Sequence, residues 1–347
     1  MNGTRPGRTV VTGGAGLIGS ALLWQLNRDG VEDAIVVDRL RTSDKWRHLV
    51  PLHFSEYLEA DEFFPRIAAQ PDAFGPISAV YHLGACSATT ERDAAYLIAN
   101  NYRLTQALAT WTLGRQARFV YASSAATYGA RETDLREDLE PHSLAPLNMY
   151  GYSKHLFDLW ARREGILDRI VGCKYFNVYG PNEDHKGDMR SVVAKAFEQI
   201  ASDGTVRLFK SYRDGIGDGE QTRDFLYVKD AVAATLHLGR TASANGLYNV
   251  GSGVARSWND LTRAIYAALE RPAHITYIPM PETLRGKYQY RTQATVERLR
   301  AAGYEAPFTS LEDGVADYVR NYLATGSVLG PEAGSSPSGV PVASATR

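Results

Sequence analysis

Tyr150 and Lys154, in Tyr150-Gly-Tyr-Ser-Lys154, are four residues apart, so a helix would set them on one face. A phenol with an unperturbed pKa near 10 is a poor base at neutral pH, but a neighbouring ammonium favours the phenolate and lowers that value. The pair therefore offers a proton acceptor together with the charge that activates it, and Lys154 can also reach a ribose hydroxyl. Upstream, Ser124 in Ser123-Ser124-Ala125-Ala126-Thr127-Tyr128-Gly129 supplies a hydroxyl that can hydrogen-bond an alkoxide or a carbonyl. These three residues suit proton transfer at a carbinol carbon, a reaction that needs a hydride acceptor beside it.

The flanking residues predict the elements that hold them. Pro146 precedes a helix that carries Tyr150, Leu156, Phe157 and Trp160, and the apolar run Arg118–Ala122 reads as a strand delivering Ser123 and Ser124 to the C-terminal edge of a parallel sheet. A second motif supplies the hydride acceptor's site. Thr9-Val10-Val11 reads as a buried strand, Thr12-Gly13-Gly14-Ala15-Gly16-Leu17-Ile18-Gly19 as a tight turn, and Leu17 to Leu26 as a helix. Gly13, Gly16 and Gly19 allow close backbone approach, and the helix start at Leu17 and Ile18 offers unpaired N–H groups and partial positive charge to a pyrophosphate. A second strand, Ala34 to Val37, ends at Asp38, about 20 residues past the glycines, where a carboxylate can bond an adenosine ribose hydroxyl. Asp38 opposes a 2′-phosphate, whereas Arg39, Arg41 and Lys45 attract one, so the expected cofactor is NADP, with NAD the alternative.

At this point the chain resembles the extended short-chain dehydrogenase/reductase superfamily, through the glycine turn, Leu83-Gly84-Ala85, Ser124, Tyr150 with Lys154, and Tyr175-Phe-Asn-Val-Tyr-Gly-Pro181. The resemblance runs from about residue 9 to about 323 and implies chemistry on a nucleotide sugar. It also implies cofactor contacts at Leu83, Gly84, Ala85, Cys86, Ser87, Asn100 and Val178. Relatives that eliminate water carry an Asp-Glu pair after the active-site hydroxyl; Ala125 and Ala126 stand there, which disfavours dehydration. A hexose 4-epimerase acting on a UDP-sugar needs one base, and a non-catalytic NADP-binding sensor needs none. A third chemistry uses a base on each side of the carbon, and Lys186 in Pro181-Asn-Glu-Asp-His-Lys-Gly-Asp-Met189 is the candidate for the second.

That stretch is similar to the ADP-glyceromanno-heptose 6-epimerase family, as are His82-Leu-Gly-Ala-Cys-Ser-Ala-Thr-Thr-Glu91, Tyr150 to Asp158 and Gly286-Lys-Tyr-Gln289. The narrower resemblance implies inversion at C-6 of an ADP-heptose for lipopolysaccharide core synthesis, with Tyr150 and Lys186 as the two bases. It places Asn177, Asp188, Lys195, Phe209, Arg223 and Tyr288 at substrate positions. The rigid fork of Arg223 suits a diphosphate, and Phe209 or Tyr288 could pack an adenine or ribose. Two departures stand out: Asp188 replaces a small hydroxyl residue, and Ala60 lies near the place of a cofactor-contacting lysine.

Alternating strand-like and helix-like segments predict an α/β fold, a Rossmann-like doubly wound parallel sheet with a smaller mixed α/β lobe for substrate. Residues 8–181 and about 222–256 are expected to form the NADP-binding domain. Residues 182–221 and 257–323 would form the lobe, with a mobile loop over 211–221, and residues 326–347 a disordered tail. The 347 residues can bury a substantial core, and a net charge of -1 excludes a general nucleic-acid or acidic-membrane surface. Cys86 and Cys173 read as reduced, buried packing residues of a cytoplasmic enzyme. No metal is expected, since no His/Cys ligand framework is visible, nor any membrane span. The family resemblance implies a homo-oligomer, with a pentamer as the expected form.

Overall fold

The structure, a computed structural model, describes residues 7–286 and 288–331. Seven parallel strands form the main sheet: β1 (Arg8–Thr12), β2 (Ala34–Asp38), β3 (Glu56–Glu59), β4 (Ile77–His82), β5 (Arg118–Ser124), β6 (Val171–Tyr175) and β10 (Gly246–Val250). Their spatial order is β10-β6-β5-β4-β1-β2-β3. The chain reverses direction across the sheet between β1 and β4, the crevice where open sheets of this kind bind ligands.

The strands read as near-continuous apolar runs because both faces are covered. On one face Val10, Ile35, Val37 and Phe119 meet Phe63, Leu108 and Phe157, from α2 (Ala60–Ala69), α4 (Leu104–Gly114) and α5 (Met149–Arg163). A short α3 (Ala94–Leu97) and a π-helical stretch, Ile98–Arg103, lead into α4. On the other face Val11, Val36 and Val120 meet α1 (Leu17–Arg28) and α7 (Val228–Arg240). The fold class is thus the doubly wound α/β arrangement anticipated from the sequence.

Two smaller sheets stand beyond the C-terminal edge of β5 and β6. In one, β9 (Thr222–Tyr227) lies between β7 (Asn177–Tyr179) and β11 (Ala255–Ser257). In the other, β8 (Val206–Phe209) pairs with β12 (Ile275–Ile278), flanked by α6 (Val192–Asp203) and α8 (Trp258–Ala268). The segment 222–256 therefore divides, with β10 in the main sheet and β9 in the three-stranded one.

Segment 211–221 is hydrogen-bonded within itself and to its neighbours: Ser211 N–H donates to Asp218 (2.7 Å), Asn259 donates to the Asp218 carbonyl (3.0 Å), and Arg213 pairs with Glu132. One expectation is corrected. At the C-terminal end Leu329 is fully buried, so the first residues assigned to a disordered tail pack against the fold. Residues 332–347 of that tail, and Lys287 of the Gly286–Gln289 motif, lie outside the described residues.

Candidate active site

Ser124 ends β5, and its Oγ accepts the Ala126 N–H at 3.1 Å, turning the chain into a single 3-10 turn. Helix α5 starts beside it, capped by Asn148, whose Oδ1 accepts the Gly151 N–H at 2.8 Å. Gly151 rests on that turn, since a Cβ there would come 2.8 Å from the Ala126 carbonyl oxygen. This close approach brings the Tyr150 phenol into hydrogen-bond contact with Ser124.

One helical turn later Lys154 is buried, its Nζ donating to the Ala122 carbonyl at 2.8 Å. The electrostatics differ from the sequence expectation. Burial raises the Tyr150 pKa, opposed by the Ser124 hydrogen bond, and no lowering by Lys154 is resolved. Burial also lowers Lys154 to about 8, against the raising influence of Asp158. Burial, the largest influence on Tyr150, therefore opposes formation of the phenolate.

Sequence reasoning missed what lies beneath these groups. The buried Asp158 carboxylate accepts bonds from Tyr121 (2.8 Å), Ser123 (2.9 Å) and the Lys174 ammonium (2.9 Å), and Lys174 also donates to Thr127 (2.6 Å). Both ends of this ion pair are within a few per cent of complete burial. The available signal was a lysine inside an apolar strand, with an aspartate one turn beyond Lys154 on α5.

Lys186 comes from a separate element, a short 3-10 stretch, Asp184–Met189, just before α6. It lines one cavity of about 420 Å³ with Ser124, Tyr150, Lys154 and Asn177. Burial lowers its pKa, with Glu183 acting the other way. The cavity is thus lined by proton-transfer groups from two separate elements, α5 and the Asp184–Met189 stretch.

The same cavity continues over the glycine turn past Gly13, Gly16, Leu17, Ile18 and Gly19, and it also touches Leu83, Gly84, Ala85, Ser87 and Val178. Gly13 has φ 69°, and a Cβ on it would stand 2.6 Å from Gly84 backbone; on Gly19 it would stand 2.0 Å from the Gly13 carbonyl. Gly16 caps α1 with no side-chain hydrogen bond, leaving the first helical N–H groups to a ligand. A second cavity, about 370 Å³, shares Gly13, Asp38, Lys45, Gly84 and Ala85 with the first and adds Arg39, Arg41, Ala60, Cys86 and Asn100. A trough with glycine-lined backbone and an uncapped helix start at its middle fits an extended dinucleotide.

The charges around Asp38 are more compensated than their sequence count suggests. Asp38 accepts from Ala15 N–H (2.8 Å), Arg39 N–H (2.6 Å) and Lys45 Nζ (2.6 Å), while the Arg39 guanidinium bonds Asp61 (2.8 Å) and Asn100 (2.6 Å). Cys173 is buried, with its thiol pushed up to about 12; Cys86, expected to be buried, is only half-buried at the cofactor trough.

At the substrate end Arg223 is nearly buried, its guanidinium 5.1 Å from the Tyr288 ring and 5.6 Å from the Trp258 ring. Trp258, which sequence reasoning overlooked, lines the first cavity and donates to the Tyr288 hydroxyl at 2.9 Å. Arg223 and Tyr288 therefore stand just behind the wall. Asp188, Lys195 and Phe209 are not brought into the lining: Asp188 is exposed, Lys195 donates to its carbonyl (3.1 Å), and Phe209 is half-buried at the end of β8.

His48, Asp184 and His185 converge with ligand atoms within 4.8 Å of one another, a gathering the sequence did not announce. His48 Nε2 is 2.6 Å from Asp184 Oδ1 and its Nδ1 is 2.7 Å from the Ala15 carbonyl, so both ring nitrogens already face protein acceptors. Each His48 ring nitrogen thus faces a protein oxygen, while the buried His185 Nδ1 has no hydrogen-bond partner among the described residues.

The chain is similar to known proteins over most of its length. An ADP-L-glycero-D-manno-heptose-6-epimerase of Nitratidesulfovibrio vulgaris is 53% identical over 316 residues, covering 91% of this chain and 98% of that protein. One of the same name from Fusobacterium nucleatum is 44% identical over 325 residues, covering 91% and 98%. The crystal structure of the Helicobacter pylori ADP-L-glycero-D-manno-heptose-6-epimerase superposes with a TM-score of 0.76 at 28% identity, covering 91% of this chain and 96% of that one. Residues 9–251 match the model of the NAD dependent epimerase/dehydratase family, and the chain belongs to that family.

Proposed function

We propose that this protein interconverts ADP-D-glycero-β-D-manno-heptose and ADP-L-glycero-β-D-manno-heptose by transient oxidation at C-6. The carrying observation is a single cavity lined by Tyr150, Ser124 and Lys186. Support comes also from relatives of that name at 44% and 53% identity over most of the chain. A nicotinamide dinucleotide, when bound, supplies reversible hydride acceptance. NADP is our choice, because Arg39 and Arg41 line the cavity beyond Asp38, where a 2′-phosphate would sit.

The residues divide the rest of the work. Ser124 holds the C-6 oxygen by hydrogen bonding, and one of Tyr150 or Lys186 takes its proton as the carbon becomes a ketone. After the keto-sugar turns its other face, the second of the two returns a proton to the oxygen. Lys154 orients the nicotinamide ribose. Arg223, stacked between Trp258 and Tyr288, suits the diphosphate.

Purified protein mixed with either epimer, without added reductant, should reach one fixed epimer ratio by NMR. Tyr150→Phe and Lys186→Met should each slow this by roughly 10²–10⁴-fold with dinucleotide still bound. Absence of conversion by folded, dinucleotide-loaded protein would shift the reading to 4-epimerisation of a UDP-hexose, which needs one base.

A further inference from the structure

The loop that presents Lys186 is fixed at its two ends. Asn182 donates to Ser20 (2.9 Å) and accepts from Leu329 N–H (3.1 Å). Glu183, almost wholly buried, accepts from both the N–H and the hydroxyl of Ser191, each at 2.6 Å. Between those ends the backbone kinks at Gly187, φ 53°, immediately after Lys186. A glycine hinge beside a working side chain gives that side chain freedom unless something braces the turn.

The brace comes from across the cleft. His48, on a 3-10 turn at Asp44–His48, is completely buried and reaches both ways. Its Nδ1 meets the carbonyl of Ala15 in the glycine turn (2.7 Å), and its Nε2 meets the Asp184 carboxylate (2.6 Å), two residues before Lys186. Ala15 in turn donates its N–H to Asp38 at 2.8 Å. A continuous chain of close polar contacts therefore runs Asp38, Ala15, His48, Asp184. His185 stands edge-on to the His48 ring, centroids 5.4 Å apart, and lines both cavities. The His48 bond pulls the Asp184 carboxyl below its ordinary pKa.

We propose that His48 is a positioning residue: it latches the Lys186 loop to the turn that cradles the dinucleotide, so that lysine and cofactor are held in one frame. The inference rests on Lys186 acting in proton transfer. The latch acts on the geometry of the chemical step and leaves substrate affinity to other residues.

Asp184 is the better handle for a test, because its side chain is 60% exposed and its removal opens no cavity. Asp184→Ala should lower kcat by roughly tenfold to a hundredfold with KM for the ADP-heptose unchanged, the cost of a misplaced group. Asp184→Asn keeps an acceptor for His48 and should restore most of the rate. His48→Asn should cost little further kcat on the Asp184→Ala background, since one interaction cannot be lost twice. Lys186→Met is assayed alongside. If Lys186→Met is inactive while Asp184→Ala turns over at the wild-type rate, the latch is overturned and the base assignment stands. If Lys186→Met is itself fully active, the base assignment fails and takes the latch with it. Equal losses in Asp184→Asn and Asp184→Ala would also overturn it, because a retained acceptor would then make no difference.

Discussion

Lys154 is held between opposing influences, and the balance sets a pH dependence. Burial lowers it to about 8, while Asp158, one helical turn on, raises it. An amine loses its proton as pH rises through its pKa, so any rate that depends on the Lys154 ammonium declines above about 8. Asp158→Asn removes the raising influence, so the alkaline limb of kcat should move to lower pH. The same change strands the Lys174 ammonium, and loss of one partner from a buried pair costs about 3–5 kcal/mol. Adding Lys174→Met should recover part of that stability in denaturant unfolding while leaving the limb displaced. An alkaline limb that stays in place in Asp158→Asn would mean that Asp158 serves the fold alone. The spacing of Tyr150 and Lys154 was readable in the sequence because a helical period is local. The carboxylate that tunes Lys154 was not, because its role depends on Lys174, Ser123 and Tyr121, which come from two other strands.

Elements set the distance between these groups, and the tightest approach is α5 on the turn after β5. A Cβ at Gly151 would lie 2.8 Å from the Ala126 carbonyl and 3.3 Å from the Ala126 Cβ, with backbone as the nearest obstacle. Gly151→Ala should push the start of α5 off that turn, part Tyr150 from Ser124 and lower kcat by about a hundredfold. Helix propensity pulls the other way, since alanine is favoured over glycine by about 1 kcal/mol in a helix interior. Thermal unfolding should therefore move little while turnover collapses; turnover at the wild-type rate would show that the contact relaxes freely. Legibility follows the same division between local and distant. The strands β1, β2 and β5 announced themselves as apolar runs, α1 by its period and α5 by its apolar residues after Pro146. The three-stranded sheet did not, because β7 and β11 have three residues each, too short for an alternation to register. His48 was equally silent, a lone histidine whose partners are Ala15 and Asp184, one in the glycine turn and the other far along the chain.

At the scale of the whole molecule, the C-terminal segment closes a path back to the site. Leu329 is fully buried in the larger core cluster, its N–H donates to Asn182, and the Gly330 carbonyl accepts from the Trp24 indole at 3.0 Å. Asn182 has φ 73°, a left-handed conformation that asparagine adopts more readily than most residues with a side chain, and its amide is bonded on both sides, to Ser20 of α1 and to Leu329. The segment after Thr325 therefore ties the cofactor-side helix to the start of the Lys186 loop, a role that its Gly, Ser and Pro content concealed. Leu329→Ala keeps the backbone bonds and removes the anchor; a buried leucine cut to alanine costs about 2–5 kcal/mol, and a terminal segment that can lift away falls at the low end. Ending the chain at Thr325 removes the bonds as well and frees Asn182 to change its conformation. Leu329→Ala should then lower thermal stability with kcat largely kept, whereas the shortened chain should lose both. Equal kcat in the two variants would place Asn182 under the control of Ser20 and Glu183 alone, and the C-terminal segment would be a stabilising strap with no hand in presenting Lys186.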